Sequence, residues 1–176
     1  MGIKGLKKYL ESISHDHARE CLPKRSHLHI DATGWVFYLM RSAKGLDIAR
    51  QFGGSYMDLD NLVRDSYIFL LDCGLEPIFY FDGRDTPMKK DTRIERNIKR
   101  LESQAAIYDA INSDAIPDQR ELDLPPLTTF QFRQTLKSLG ARITDCKYEA
   151  DQEMVLACKQ ANSRKDSVHY CYGDDT

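Results

Sequence analysis

The sequence predicts an α/β domain, a parallel sheet with helices on both faces, and three observations carry that prediction. Four short runs rich in β-branched or aromatic residues recur along the 176 residues, each bounded by turn formers. Stretches with apolar residues at helical spacing lie between them. Strands alternating with helices require crossover connections, and those produce parallel pairing.

The strands are expected at Leu28–Asp31, Pro77–Asp82, Arg142–Asp145 and Val168–Tyr172. Leu59, Leu62, Val63, Tyr67, Leu70 and Leu71 mark one helix, with Gly74 as its stop. Phe132, Leu136 and Leu139 mark a second, stopped at Gly140, and Met154 to Ala157 lie in a third. Residues 84–124 break the rhythm. They open with a basic helix and end in Leu-Pro-Pro, so they read as an insertion leaving the sheet after the second strand.

In open parallel sheets, ligands bind beyond the carboxyl ends of the strands. Here the first strand ends at Asp31 and the second at Asp82. The third leads to Glu149-Ala150-Asp151, and the fourth runs into Gly173-Asp174-Asp175. Clustered carboxylates are costly unless a cation sits among them, and hard divalent ions such as Mg²⁺ and Mn²⁺ favour oxygen ligands. Taken singly, each acid has a plainer reading. Asp31 suits a turn or a helix cap before Ala32-Thr33-Gly34, Asp82-Gly83 is a common turn pair, and Glu149-Ala150-Asp151 suits a solvated helix start. Independent turns, however, need not all place carboxylates at one sheet edge.

In the basic helix, Lys89, Arg93, Arg96 and Arg100 fall within about 60° of one another, while Ile94, Ile98, Leu101 and Ala105 lie roughly opposite. A solvated face with ion pairs to Asp91 and Glu95 is one reading. A surface for a phosphate backbone beside the acids is the other. Trp35 reads as core, and the five histidines carry no metal-ligand spacing. No P-loop, dinucleotide fingerprint or nucleophile elbow is present, which withdraws the usual sequence support for those chemistries.

The net charge of −2 argues against a general nucleic-acid coat and leaves room for an acidic pocket flanked by basic patches. No apolar run approaches the ~18 residues that a membrane helix needs, so no membrane partner is expected. Five scattered cysteines without C-x-x-C predict buried thiols in an intracellular protein.

Taken in order, these residues resemble the flap endonuclease and xeroderma-pigmentosum-G nuclease superfamily, whose core is a PIN-like fold. Met1-Gly2-Ile3-Lys4-Gly5-Leu6 looks like its N-terminal M-G-I-x-G-L start. Ile30-Asp31-Ala32 is similar to its first metal-binding aspartate, Phe81-Asp82-Gly83 to its F-D-G motif, and Glu149-Ala150-Asp151 to its E-A-E motif. The stretch from Tyr56 to Asp82, the Leu-Pro-Pro before a helix and the E-A-D form look most like the asteroid branch.

The resemblance implies an N-terminal nuclease domain over residues 1–176 with a helical arch or gateway at 84–124. It implies two Mg²⁺ or Mn²⁺ ions held by Asp31, Asp82, Glu149, Asp151 and Asp175. The activity implied is hydrolysis of DNA at single-strand/double-strand junctions, in a nuclear setting. Lys89 and Arg96 match the family's catalytic basic pair, Phe37 its base-stacking aromatic and Gly2 its N-terminal glycine. Arg93 and Arg100 would extend the nucleic-acid surface. Two departures stand out: Asp151 is one methylene shorter than the family's glutamate, and only Asp175 of the later D-x-D pair is present. The chain is therefore expected to be part of a longer protein. A PIN-like ribonuclease and a catalytically weak scaffold for protein or RNA partners remain the alternatives.

Overall fold

The structure is a computed structural model, and it describes residues 25–42, 44–45, 55–84, 90–115, 124–164 and 167–173. Its sheet has four strands, β1 (Ser26–Asp31), β2 (Leu75–Phe81), β3 (Arg142–Asp145) and β4 (His169–Tyr172), in the order β3-β2-β1-β4. All three pairings are parallel. The helices are α1 (Ala32–Met40), α2 (Tyr56–Asp72), α3 (Lys90–Asn112), α4 (Thr128–Ser138) and α5 (Ala150–Ser163).

Strand residues alternate between the two faces, and the alternation sorts them by chemistry. Leu28 and Ile30 of β1, and Leu75, Phe79 and Phe81 of β2, enter a core with Val36, Leu59, Val63, Phe132 and Leu136 from α1, α2 and α4. The opposite face carries Ile78 and Tyr80, packed with Cys146, Ala150 and Met154 under α5. Helices thus cover both faces, as the sequence predicts. Across α2 and α4, the carboxylate of Asp60 accepts a hydrogen bond from the Thr135 hydroxyl at 2.5 Å and Arg64 donates to the Ser138 hydroxyl at 3.1 Å, fixing the rotation of one helix against the other.

The glycine stops hold: Gly74 and Gly140 follow α2 and α4 with φ of 77° and 70°, left-handed values that a side chain would strain. Trp35 is core, as expected, and meets Tyr172 edge-on with ring centroids 5.1 Å apart. Three expectations need correction. Leu71, read as part of an apolar stripe, is exposed. The thiols of Cys73 and Cys171 are exposed too, and only Cys146 and Cys158 are buried among the described residues. Asp82 lies just beyond β2, so it is released from the ladder and its carboxylate is available to other elements. Among the described residues, no helix is long and apolar enough to cross a membrane.

Candidate active site

Among the described residues, Asp31, Asp82 and Asp151 gather where the sequence places them, at the carboxyl edge of the sheet, and Asp31 and Asp82 each also organise a helix terminus. Asp31 closes β1 and caps α1, its Oδ1 accepting from Thr33 N at 2.9 Å and its Oδ2 from Gly34 N at 3.1 Å. The cap reading and the site reading of Asp31 are therefore compatible rather than rival. Asp82 reaches two helices at once. Its Oδ1 accepts from Ala150 N at 2.8 Å, at the start of α5, and its Oδ2 accepts from Thr33 Oγ1 at 3.4 Å. Glu149 occupies the cap position of α5 with extended backbone and makes no side-chain cap bond there, so Asp82 performs that task from 67 residues earlier in the chain. Asp151 lies in the first turn of α5, where the positive end of the helix favours it.

The close approach behind this arrangement depends on Gly83. The β2 and β3 chains run on together past the sheet: Cys146 N donates to Phe81 O at 3.0 Å, Gly83 N to Tyr148 O at 2.6 Å and Arg84 N to Lys147 O at 3.1 Å. A Cβ at position 83 would stand 2.0 Å from the Cys146 carbonyl oxygen. The glycine is required by backbone contact, which the turn-pair reading did not anticipate.

Electrostatics unite three of the acids. The carboxyl of Asp31 is pushed up to about 6, first by burial, with Asp82 and Asp151 adding like charge and the Gly34 and Thr33 amides opposing the rise. Among the described residues, no three His, Cys, Asp or Glu side chains stand as a ready-made metal-ligand group. The donor set nonetheless suits a hard cation. A carboxylate has about four lone-pair sites, so the oxygens of Asp31 and Asp82 that accept one bond each retain acceptor capacity. The mutual repulsion felt at Asp31 is of the kind that a cation relieves.

The remaining predicted residues fall into two groups. Phe37, half-way along α1, is 42% exposed beside Tyr38 at 52%. Arg96 and Arg100 are exposed on α3. The apolar side of α3 is also exposed, at Ile94, Ile98, Leu101, Tyr108 and Ile111, so amphipathic spacing here does not mark a buried face. Gly2, Lys89, Asp175 and the side chain of Arg93 lie outside the described residues.

Sequence reasoning assigned no role to the histidines, yet two of them carry the polar interior of the α5 face. His29 is 3% exposed, bonded through Nδ1 to the Tyr80 hydroxyl at 2.8 Å and through Nε2 to His169 Nδ1 at 2.9 Å. The available signal was strand register: His27 and His29 are two apart on β1, and His169 pairs with His27 on β4.

Comparison with known proteins places the chain in a family. The model of the XPG N-terminal domain family matches residues 1–103. The chain is 30% identical over 164 residues to the single-strand DNA endonuclease ASTE1 of Danio rerio, covering 92% of this chain and 22% of that protein. It is 27% identical over 173 residues to flap endonuclease 1 of Cryptosporidium parvum, covering 90% of this chain and 35% of that protein. The chain thus spans between about a fifth and about a third of the length of these relatives. Among solved structures, the catalytic core of Rad2 in complex with DNA substrate aligns with a TM-score of 0.45 at 13% identity, covering 78% of this chain and 38% of that one. The superfamily resemblance, with its asteroid leaning, is borne out by these relatives. With 103 of its 176 residues matched by the family model, the chain belongs to the XPG N-terminal domain family.

Proposed function

We propose that this protein is a divalent-metal-dependent, structure-specific endonuclease that hydrolyses DNA phosphodiesters at single-strand/double-strand junctions. The observation that carries the reading is the convergence of Asp31, Asp82 and Asp151 on one sheet edge, close enough that the latter two raise the Asp31 carboxyl. Family membership and nuclease-named relatives support it.

In this reading Asp31, Asp82, Glu149, Asp151 and Asp175 hold Mg²⁺ or Mn²⁺. Two such ions would activate water and stabilise the leaving oxygen of the displacement. The chain's own contribution is positioning. Asp82, fixed by the Ala150 amide, ties the second strand to the first turn of α5 and so sets Asp31 against Asp151. Lys89 and Arg96 stand at the start of the arch, 84–124, where their charge meets the scissile phosphate as its own charge redistributes. Arg93 and Arg100 hold flanking phosphates, exposed Phe37 stacks on an unpaired base, and Gly2 lets the strand approach the site. A nuclear location suits a DNA substrate.

The test is cleavage of matched DNA and RNA flaps by this protein with Mg²⁺. Cleavage of DNA at the junction is expected. Preference for the RNA flap would make the protein a ribonuclease, and metal binding without cleavage of either flap would make it a scaffold.

A further inference from the structure

A second site lies away from the acids. A cavity of about 640 Å³ opens between the end of α5 and the start of the sheet, near the amino ends of β3 and β4. Its volume falls within the ~300–1,000 Å³ typical of small-molecule sites. We propose that this cavity binds a small phosphorylated molecule of nucleoside-monophosphate size, with Arg142 and Arg164 as its anion contacts and Ser167 as a directed hydroxyl donor.

Charge makes the first case. Arg142 opens β3 and Arg164 closes α5, and both line the cavity. Among the described residues, neither guanidinium has an ion-pair partner and no carboxylate lines the walls. The nearby Glu76 lies 3.2 Å from His27, and neither of those residues is a wall. The carboxyl end of α5 opposes an anion with about half an elementary charge, against two full guanidinium charges. Guanidinium donors match phosphate oxygens in geometry as well as in sign.

The polar wall makes the second case. Tyr80, His29, His169 and Ser167 form one chain of hydrogen bonds, of 2.8 Å, 2.9 Å and 2.8 Å in turn. Each of the two rings bonds through both of its nitrogens, and a neutral imidazole offers one N–H donor and one acceptor nitrogen. Such a chain has two directions. When Tyr80 donates to His29, His29 donates to His169 and His169 donates to the Ser167 oxygen. That leaves the serine proton to point elsewhere, and an anion in the cavity selects this direction. In the reverse direction the Ser167 proton is consumed by His169. Asn162 fixes the wall, donating to the His169 carbonyl and accepting from its N–H, both at 2.9 Å. Ile78, Ile143, Ala157 and Ala161 add apolar lining, which suits the flat body of a base rather than a bare ion.

The test uses the 176-residue chain without divalent metal, so that the carboxylate edge takes no part. Adenosine 5′-monophosphate, adenosine and inorganic phosphate are titrated calorimetrically. The monophosphate is expected to bind one-to-one, at least tenfold more tightly than either fragment. The double variant Arg142→Gln/Arg164→Gln should lose at least tenfold in affinity, and Ser167→Ala about threefold or more. Lys159→Gln, on an exposed part of α5 outside the cavity, should match the parent. These surface changes leave the fold intact, which unchanged thermal transitions verify. Equal affinity for monophosphate and adenosine, or an unaffected double arginine variant, would overturn the proposal. So would a monophosphate affinity that falls with Asp82→Ala and not with the arginine changes.

Discussion

The two faces of the central strands are built from alternate residues of the same segments, yet they do different work. Leu28 and Ile30 face a dry core closed by α1, α2 and α4, where Phe79, Phe132 and Leu136 are fully buried. Their neighbours His29 and Asp31 lie on the opposite face, where a smaller apolar cluster of Ile78, Tyr80, Cys146, Ala150 and Met154 is joined by buried hydrogen-bonded and charged groups. One face contributes stability through apolar burial. The other holds titratable groups away from their ordinary values, Asp31 pushed up to about 6 and His29 lowered to about 4, mainly by burial in each case. A period of two is enough to separate the two tasks.

The sharpest way to break this comparison is to damage each face alone. Phe132→Ala removes a ring that is 0% exposed and touches Phe79 and Phe81. It should cost ~3–5 kcal/mol in denaturant unfolding, because the void cannot fully collapse. Asp82→Ala on the other side should cost only about 1–2 kcal/mol, the worth of a helix cap, while reducing flap cleavage by more than a hundredfold. If the two substitutions destabilise equally, the division between the faces fails.

Acid titration gives a finer test. Asp31 binds its proton more tightly folded than unfolded, so its contribution to stability rises as pH falls from about 6 towards 4. His29 has the opposite sign: its folded value lies below 6.5, so stability is lost as pH falls from 6.5 towards about 4. The two partly cancel in the parent protein. Asp31→Asn keeps a capping side chain and removes the carboxyl titration. It should raise Tm at pH 7, and its Tm should fall more between pH 7 and pH 4 than the parent's. A thermal melt series across that range checks both signs.

The smallest expected effects are on stability from α3. Arg96→Ala and Arg100→Ala change exposed side chains and should leave unfolding free energy within about 0.5 kcal/mol. Their kinetic effects should differ. Arg96→Ala, like Lys89→Ala, should reduce turnover more than affinity. Arg100→Ala, like Arg93→Ala, should mainly weaken DNA binding and flatten its salt dependence. Equal effects on turnover from all four would remove the distinction between catalytic and flanking cations.

What the sequence made legible follows from the range of the interactions. Strand β3 was readable to the residue, and α2 and α4 were readable with their glycine stops, because composition and spacing are local signals. The acids at the strand ends were readable because topology alone brings them to one edge. The capping of α5 by Asp82 was not, since it joins residues 68 apart. Nor was the Tyr80–His29–His169–Ser167 chain, which spans three strands and exists only once register is fixed. The spacing foretold the helix at α3 but not the exposure of Ile94, Ile98 and Leu101, because periodicity describes a helix and says nothing of what covers it.

The central claim is that the carboxyl edge holds catalytic metal, and a calorimetric titration of this chain with Mn²⁺, repeated with Asp82→Ala, tests it most directly. Binding at low millimolar metal or better, accompanied by a rise in Tm and lost in the variant, is the predicted result. Absence of binding to the parent chain at millimolar Mn²⁺, or binding that survives Asp82→Ala unchanged, would contradict it.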